Sequence, residues 1–410
     1  MHYNENEYDL VLFTQTFYPD INATAKLMTD LAEFLVEKGK NVLIITTNRS
    51  YEMPTKKYSG FEIKNNVNIR RVKVPKLNKN NAFQKILLYY LFSIKAKRAA
   101  RKANYKIAIS ILPPYFVGYK VLKEAKKKRN KFVFLVHDLH PDTLIKRKQA
   151  SPKNPLVLLL RNQTAYIFQK ADKVIFLGRD QIEYVKENYE IQMQKIEYIP
   201  NWGRKSLKSS SNKSLNSFKI LYAGNLGEDS KNLFDFLEIM KELQEKKIDE
   251  FNLTILGEGR NKEKYLNYIN ENNLYNVELK SFLPEDEYEE ELRNSDLFLV
   301  TLREESKGMS VPSKVYYYLS AGKPIIGFLP VESEIDISIK EDNYGINLNR
   351  ICKNERIDTL LKLKNDHAYY SQLSENAKKA FENKYEKDVV LEKYYNLFKE
   401  LEADKWKPPS

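Results

Sequence analysis

Residues 307–327, KGMSVPSKVYYYLSAGKPIIG, decide the fold of this chain. Ser310 is a favourable N-cap for a short helix, and Pro312 suits its first turn. Gly322 favours the end of that helix, and Pro324 prevents its continuation. The apolar residues that follow predict a buried strand. A loop, a short helix and a buried strand together form the repeating unit of an α/β sheet.

The start of that short helix predicts an anion-binding site. Free backbone N–H groups at a helix N-terminus attract negative charge. Ser310, Ser313 and Lys314 add hydroxyl and ammonium donors at the same place. A diphosphate group fits such a cradle, whereas the alternative interpretation is an ordinary capped helix between two strands.

The first half of the chain alternates between strand and helix patterns, which predicts a parallel sheet covered by helices. Apolar runs predict strands at 8–14, 41–47, 68–74, 106–112, 132–137 and 173–177. Helical periodicity is present at 23–38, 82–103, 115–129 and 155–170.

A second unit of the same class follows a polar break. Residues 203–217 are rich in Ser, Lys and Asn and have no apolar period, which predicts a linker. Strands are then predicted at 218–223, 251–256, 277–280, 297–302 and 324–328, and final helices at 367–383 and 387–401. The predicted domains are 1–203, a linker at 204–217, 218–384, and a C-terminal helix at 385–410.

Composition supports two folded domains, because 410 residues exceed one ordinary core. The single cysteine, Cys352, excludes an internal disulfide and fits a reducing cytoplasm. The first nine residues show no secretion signal, and no apolar run approaches the roughly 20 residues that span a bilayer.

The net charge of +13 is uneven, since residues 1–205 carry 38 Lys and Arg against 18 Asp and Glu. This asymmetry predicts an anionic partner for the first half.

Polar residues at predicted strand ends are candidate site residues, because ligands of open α/β sheets bind beyond the carboxyl ends of strands. His137 and Asp138 follow one such strand, and a histidine can supply a proton or a hydrogen bond near neutral pH. Gly224 and Gly227 follow another strand, where glycines allow a phosphate to approach the backbone. Structural capping of these loops is the alternative in each case.

Several segments, in order along the chain, resemble glycosyltransferase family four, the large retaining family with the GT-B architecture. They are Phe17-Tyr18-Pro19-Asp20, 136–142 (VHDLHPD), Ile199-Pro200-Asn201-Trp202, 222–227 (YAGNLG), Leu256-Gly257-Glu258-Gly259 and the 307–327 segment. The V-P-S-K sequence at 311–314 is similar to the branch that includes N-acetylfucosamine transferases of surface polysaccharide synthesis. The resemblance implies two Rossmann-like, doubly wound parallel-sheet domains that face a cleft.

The resemblance also implies roles for individual residues. The catalytic residues would be His137, Asp138 and Lys231. The donor-binding residues would be Gly224, Asn225, Gly227, Gly257, Glu258, Gly259, Phe282, Leu283, Arg303, Ser310, Val311, Pro312, Ser313, Lys314 and Tyr317. The acceptor-binding residues would be Tyr18, Pro19, Asp20, Asn22, Ala23 and Thr24.

The chain departs from the family pattern at several positions. Asn225 stands where the family usually has an arginine, and Met309 and Tyr317 stand where it has two glutamates. Lys231, with Arg303 or Lys307, is expected to supply positive charge for the departing diphosphate. No Asp-x-Asp motif is present, which favours catalysis without a metal and without a cofactor.

The expected activity is transfer of a hexose or N-acetylhexosamine from a nucleotide diphosphate sugar, with UDP as the expected nucleotide, to a glycan or lipid-linked oligosaccharide. The expected location is the cytoplasmic face of the plasma membrane, because the segment 76–106 combines aromatic residues with many cations. Two alternatives remain: a nucleotide-sugar 2-epimerase on the same fold, and a nucleic-acid-binding protein that uses the basic half. No recognised nucleic-acid-binding motif supports the second alternative.

Overall fold

The computed structural model describes residues 7–77, 81–207, 217–227 and 232–404. The chain forms two compact units. The first contains Met1–Pro200 together with Leu391–Ser410, and the second contains Asn201–Val390. Each unit is built around its own sheet.

The sheet of the first unit has eight strands in the order β3-β4-β2-β1-β5-β6-β7-β8. Its strands are β1 (Tyr8–Phe13), β2 (Val42–Thr47), β3 (Phe61–Lys64), β4 (Val67–Val72), β5 (Tyr105–Leu112), β6 (Lys131–Val136), β7 (Lys173–Phe176) and β8 (Ile196–Tyr198). β3 pairs with β4 in antiparallel fashion, and the other neighbours are parallel. The central strands are buried on both faces, as expected for a sheet covered by helices.

Six helices of the first unit connect these strands. They are α1 (Ala23–Glu37), α2 (Ala82–Lys102), α3 (Val117–Lys127), α4 (Asp142–Lys146), α5 (Pro155–Lys170) and α6 (Arg179–Asn188). Asn22 is the N-cap of α1, because its side chain accepts a hydrogen bond from the Ala25 N–H at 3.0 Å. Apolar residues of α1 then pack inward, including Met28 and Leu31.

The sheet of the second unit has six parallel strands in the order β11-β10-β9-β12-β13-β14. Its strands are β9 (Phe218–Ala223), β10 (Phe251–Leu256), β11 (Val277–Lys280), β12 (Leu297–Thr301), β13 (Ile325–Phe328) and β14 (Gly345–Asn347). Its helices are α7 (Leu233–Glu245), α8 (Lys262–Glu271), α9 (Glu285–Asn294), α10 (Lys314–Ser320), α11 (Glu334–Asp342), α12 (Arg356–Asn365) and α13 (His367–Ala380).

The last helix, α14 (Lys387–Ala403), follows a π-helical turn at Phe381–Tyr385. The chain from Leu391 onward belongs to the first unit. Its residues are tied to α1 and the segment after it, since Lys38 pairs with Glu392 at 2.7 Å and Lys40 pairs with Glu402.

Three sequence predictions need correction. The short helix begins at Lys314 with Ser313 as N-cap, so Ser310 is not its cap and Pro312 lies before it. The helix predicted from residue 115 starts later. Phe116 has a left-handed φ of 66°, and α3 begins at the next residue, so residue 115 lies in a loop. The short edge strands β3, β8 and β14 were not predicted, because strands of three or four residues give little periodic signal.

The first residues of the predicted linker make contacts with the second unit. The Leu207 N–H donates to the Ser320 carbonyl at 2.7 Å, and Arg204 pairs with Glu285. Residues 208–216 of the predicted linker lie outside the described residues. Across the described part of the chain, no helix combines the length and apolar character needed to cross a membrane.

Candidate active site

The strand orders locate the ligand-binding edges of both sheets. The chain changes direction between β1 and β5 in the first sheet and between β9 and β12 in the second. Loops that leave neighbouring strands at such a reversal diverge and open a crevice beyond their carboxyl ends. The relevant loops therefore follow β1 and β5 in the first unit, and β9 and β12 in the second.

The loop after β9 is held by the loop after β10. The Leu226 N–H donates to the Glu258 carbonyl at 2.9 Å, and the Asn261 N–H donates to the Leu226 carbonyl at 2.9 Å. A Cβ on Gly257 would lie 2.2 Å from the Gly224 carbonyl oxygen. This close approach explains the requirement for glycine at 257, since a methyl group would displace backbone.

Gly259 is required for the same packing, because a Cβ there would lie 2.5 Å from the Leu226 carbonyl carbon. The predicted donor residues Gly257 and Gly259 thus shape the loop after β9 in this structure. Glu258 is exposed, and its carboxylate pairs with Lys262 at 2.7 Å, which lowers the pKa of Glu258.

Helix α10 lies against the end of β9 through Tyr318. The Ala223 N–H donates to the Tyr318 hydroxyl oxygen at 2.7 Å, and the Tyr318 ring stacks on Phe298 of β12 at 4.5 Å. Lys314 lies one helical turn before Tyr318, and residues four apart share a helix face. The contacts of Tyr318 therefore point Lys314 at the loop after β9.

The ammonium group of Lys314 lies 3.6 Å from the centroid of the Tyr222 ring. A Cβ built on Gly224 would lie 3.3 Å from the same nitrogen. Lys314 is half-buried, and burial lowers the pKa of Lys314 to about 7. Within the described ranges, the Tyr222 ring is the one interaction partner of this cation.

The other predicted cations of the second unit differ from Lys314. Arg303 makes a two-pronged ion pair with Glu305, at 3.1 and 2.9 Å, which neutralises its charge. The Lys307 ammonium donates to the Val331 carbonyl at 2.6 Å. Lys231 lies outside the described residues, as do Glu228 and Asp229.

The remaining predicted donor residues differ in accessibility. Val311 is buried, Asn225 and Phe282 are exposed, and Gly224, Gly227, Leu283, Ser310, Pro312, Ser313 and Tyr317 are partly exposed. Five of these follow β12 and so lie at the reversal of the second sheet. Phe282 and Leu283 follow the edge strand β11, which lies two strands from β9.

In the first unit, His137 directly follows β6, and its side chain is buried and uncharged at neutral pH. Its backbone N–H donates to the Leu112 carbonyl at 3.0 Å, and its backbone carbonyl accepts from the Gln181 side-chain amide at 3.2 Å. Burial lowers the pKa of His137 to about 4, and its Nε2 is enclosed with no hydrogen-bond partner among the described residues. His137 therefore offers a neutral imidazole at neutral pH.

Asp138 lies among tyrosines that sequence reasoning missed. Burial raises the pKa values of Tyr51, Tyr89 and Tyr115, and the Asp138 charge raises them further. The Tyr115 hydroxyl lies 3.2 Å from Nδ1 of His140, whose pKa is lowered by burial to about 3. Pro-Pro-Tyr-Phe at 113–116 directly follows the buried strand β5, and this position was the signal available in the sequence.

Asp20 and Glu52 form a carboxyl pair that connects the loops after β1 and β2. Asp20 accepts hydrogen bonds from the Tyr51 N–H at 3.1 Å and the Tyr58 hydroxyl at 2.9 Å. Glu52 accepts from the Asn22 backbone N–H at 3.1 Å and from its side-chain amide at 3.0 Å. Burial and then the Glu52 charge raise the pKa of Asp20 to about 6, so the pair retains a proton in mild acid.

The other predicted acceptor residues have mixed environments. The Tyr18 carbonyl accepts from the buried Arg71 guanidinium at 2.7 Å, while Ala23 is exposed and Thr24 is partly exposed at the start of α1. Pro19 lies between Tyr18 and the buried Asp20. Carboxylates, tyrosines and a neutral imidazole are the groups that hydrogen-bond and stack against polyhydroxylated ligands.

No group of three or more His, Cys, Asp or Glu side chains able to hold a metal ion occurs in the described part of the chain. Each unit has a candidate site of organic donors and acceptors. The site of the first unit follows β1, β2, β5 and β6, and the site of the second unit follows β9 and β12.

Two parallel-sheet α/β units with these strand orders have the GT-B fold. The family model "Glycosyltransferase Family 4" matches residues 24–202, and "Glycosyl transferases group 1" matches residues 203–380. The chain therefore belongs to the glycosyltransferases with this two-unit architecture, and the predicted fold class is confirmed.

Particular relatives agree with that class. The chain is 25% identical over 289 residues to the "Probable glycosyltransferase WbjE" of Pseudomonas aeruginosa, covering 67% of this chain and 70% of the relative. Among solved structures, sucrose-phosphate synthase from Thermosynechococcus elongatus has a TM-score of 0.74 at 13% identity, over 97% of this chain and 100% of that one. WaaG, a glycosyltransferase involved in lipopolysaccharide biosynthesis, has a TM-score of 0.67 at 13% identity, over 95% and 99%.

A third solved structure contains a nucleotide. Anabaena Alr3699/HepE in complex with UDP has a TM-score of 0.67 at 11% identity, over 96% of this chain and 100% of that one. At these identities the solved structures support the fold alone.

The substitution Asp20→Asn tests the carboxyl pair. The asparagine oxygen can still accept from Tyr51 and Tyr58, and its amide can donate to Glu52 at any pH. Because the folded-state pKa of Asp20 is raised from 3.8 to about 6, wild-type stability falls as pH rises through that interval and stays reduced above it. We expect D20N to raise the free energy of unfolding at about pH 7.5 by roughly 1–2 kcal/mol, measured by denaturant unfolding.

The substitution Glu52→Gln places the amide donor on the other member of the pair. It should also raise the free energy of unfolding at about pH 7.5. The control is Asp358→Asn at an exposed position of α12, which should leave the pH profile unchanged. A D20N protein that is less stable than wild type at about pH 7.5 contradicts the proposed proton sharing.

The substitution Gly257→Ala tests the packing of the loop after β9. The new methyl group would meet the Gly224 carbonyl, so we expect a loss of roughly 1–3 kcal/mol in unfolding free energy. Thermal unfolding measures this loss. Gly60→Ala is the control, since a Cβ there has no atom within 4 Å. Equal melting temperatures for the two variants would contradict the packing argument.

Proposed function

We propose that this protein is a retaining glycosyltransferase that moves a hexose or N-acetylhexosamine from a UDP-sugar to a glycan or lipid-linked oligosaccharide of the cell surface. Lys314 is the observation that carries the proposal. Its ammonium lies beside Gly224, where the second sheet reverses, and it has no carboxylate partner among the described residues. A cation that has no carboxylate partner among the described residues is a candidate site for an anion.

A nucleotide diphosphate suits this site by its charge. The Lys314 ammonium lies beside Gly224, and Ser310 and Ser313 add hydroxyl donors before α10. HepE, whose solved structures contain UDP and UDP-glucose, supports the choice of UDP as nucleotide. The developing negative charge on the leaving diphosphate would be stabilised by Lys314, with Lys231 as a further predicted cation.

The first unit would bind the acceptor. Asp138 and the surrounding tyrosines offer hydrogen-bond acceptors and aromatic faces to a sugar. The uncharged His137 would hydrogen-bond the transferred sugar through its unpartnered Nε2. No step of the proposal is assigned to a metal ion, because the residues present supply cationic and hydroxyl donors for the diphosphate.

The substitution Lys314→Ala tests the role of this lysine. We expect the rate of transfer to fall by roughly 100- to 1,000-fold, because the leaving diphosphate loses its cation. The measurement is release of UDP from a panel of UDP-sugars, with and without a glycolipid extract as acceptor. Lys340→Ala, at an exposed position of α11, is the control. A folded K314A protein with wild-type turnover would refute the assigned role.

We further propose that the first unit attaches to anionic membrane lipid through a basic face formed by α2, α3 and α5. These three helices carry twelve Lys and Arg residues and one acidic residue, Glu124. Glu124 is buried and is neutralised by Arg101, Lys97 and Lys127. The face therefore presents positive charge without exposed carboxylates of its own.

Aromatic residues are interleaved with these cations. The Lys120 ammonium lies 4.1 Å from the centroid of the Tyr90 ring, and Lys123 lies 4.4 Å from that of Tyr119. Tyr119 contacts Tyr166 of α5 edge to face at 5.4 Å. Phe83 on α2 is 74% exposed. Aromatic side chains among cations are typical of surfaces that lie in the headgroup region of a bilayer.

The double substitution R98E/K123E tests the basic face. Each cation near an anionic bilayer contributes about 1 kcal/mol, so losing two should weaken binding at least about 30-fold. The measurement is co-sedimentation with phosphatidylglycerol-containing vesicles, compared with phosphatidylcholine vesicles. The control is K264E/K340E in the second unit, which changes the net charge equally at exposed positions. Equal loss of binding by both variants would contradict a localised surface.

A further inference from the structure

We infer that the first unit has a subsite beside Arg49 for an anionic group, either a carboxylate or a phosphate, of the acceptor. The inference rests on the proposed function, because the first unit is the proposed acceptor-binding unit. The subsite is a cavity at the carboxyl ends of parallel strands, where the loops after β1, β2 and β4 meet α2. Its polar lining includes Gln15, Thr47 and Arg49.

The guanidinium of Arg49 is held in place by two backbone carbonyls. Its Nε donates to the Val74 carbonyl at 2.9 Å, and its Nη1 donates to the Pro54 carbonyl at 3.0 Å. No carboxylate pairs with it within the described ranges. Because a guanidinium carries five N–H groups, these two bonds leave three for a ligand. Such a fork of donors matches the oxygens of a carboxylate or a phosphate.

The charges near this cavity leave Arg49 without a counter-ion. Glu52 is the carboxylate nearest to it along the chain, and it accepts from the Asn22 backbone and side chain at 3.1 and 3.0 Å. Residues 78–80 follow the lining residue Leu77 and lie outside the described residues, and their sequence, Asn-Lys-Asn, contains no carboxylate. A partly desolvated cation without a counter-ion is stabilised when an anion binds to it.

A second polar side chain of the cavity has no partner in the described part of the chain. The side-chain amide of Gln15 makes no hydrogen bond there, whereas its backbone carbonyl accepts from the hydroxyls of Thr46 and Thr47 at 2.9 and 3.0 Å. The cavity has a volume of about 30 Å³, which exceeds the roughly 10–15 Å³ that one water molecule needs. It therefore has room for the oxygens of a small anionic group, with an amide and a guanidinium in its lining.

The backbone around the cavity is cross-linked by hydrogen bonds. The Ser50 N–H donates to the Lys56 carbonyl at 3.1 Å. The Tyr58 N–H donates to the Asn48 carbonyl at 2.9 Å, so the loop after β2 closes on itself. The Asn48 side chain accepts from the Val74 N–H at 2.9 Å, which ties this loop to the segment after β4. A ligand would thus meet donors whose backbone is already ordered, which lowers the entropic cost of binding.

The surroundings of the cavity give a bound acceptor its orientation. Tyr51 lines the cavity, and its N–H donates to Asp20 at 3.1 Å. Burial raises the pKa of Tyr51, and the charges of Glu52 and Asp138 raise it further. These carboxylates repel an anion and accept hydrogen bonds from hydroxyl groups, whereas Arg49 attracts the anion. The acceptor would therefore place sugar hydroxyls toward Asp138 and its anionic group at Arg49.

Saturation-transfer NMR titration of the full chain tests this subsite. The probes are methyl β-D-glucuronide for a carboxylate, glucose 1-phosphate for a phosphate, and methyl β-D-glucoside as the neutral control. We expect at least one anionic probe to bind at least about tenfold more tightly than the glucoside, because charge-assisted hydrogen bonds are roughly twice as strong as neutral ones. The anionic probe that binds identifies whether the subsite takes a carboxylate, a phosphate or both.

Two variants localise the binding. Arg49→Gln removes the cation and should weaken binding of the anionic probe at least about tenfold. Gln15→Ala removes the amide without breaking a described side-chain hydrogen bond, and it should weaken the same binding by roughly three- to tenfold. Q15A carries the test if loss of the carbonyl contacts unfolds R49Q. Arg129→Gln, at an exposed position before β6, is the matched control and should bind the probe like wild type.

The outcomes separate this inference from the proposed function. The inference is overturned if wild type shows no preference for an anionic probe, or if that preference persists in both R49Q and Q15A. Loss of anion binding in K314A with normal binding in R49Q would place the anion at the donor site and would also overturn it. Sugar transfer from a UDP-sugar by a protein that fails these tests leaves the proposed function intact. Absence of transfer despite anion binding at Arg49 counts against the proposed function alone.

Discussion

The contact of Tyr318 with the end of β9 is the constraint on which the donor site depends. The Ala223 N–H has lost its strand partner at this point, and the Tyr318 hydroxyl accepts it within the core. A buried backbone donor must be satisfied, so this contact fixes the rotation of α10 against the sheet. The rotation in turn brings the Lys314 amine over Tyr222. A structural hydrogen bond thereby determines where the cation lies.

Glycine packing completes the same site from the other side. Gly257 and Gly259 let the loop after β10 lie directly against Leu226 and the Gly224 carbonyl. The side of Gly224 where a Cβ would stand faces the Lys314 nitrogen and the Tyr222 ring. Glycines of different loops therefore allow different contacts. Those after β10 allow backbone to meet backbone, and Gly224 allows the Lys314 amine to approach the end of β9.

Much of this arrangement could be predicted from the sequence, and the reasons for the failures are physical. Strand β9 was predicted with its observed bounds, because a short, mostly apolar run between polar breaks has few alternatives. The predicted start of α10 was wrong because Ser and Pro are as favourable in a turn as at the start of a helix. Backbone hydrogen bonds to the Ser306 carbonyl place Ser310 in the turn that precedes α10. Glu52 was missed because its partner Asp20 lies 32 positions away. Carboxyl pairs of this kind are created by the sheet order, which propensities do not encode.

The overall charge of each region is opposite to the charge of its candidate site. Residues 1–205 are strongly basic, yet their strand ends present Asp20, Glu52 and Asp138. The second unit has an acidic helix start at α9, yet the start of α10 presents the Lys314 amine, which has no carboxylate partner among the described residues. Exposed charge is screened by salt over about 10 Å, whereas a desolvated charge acts on whatever touches it. Net charge therefore governs which surface the protein approaches, and the few desolvated groups govern which ligand it holds.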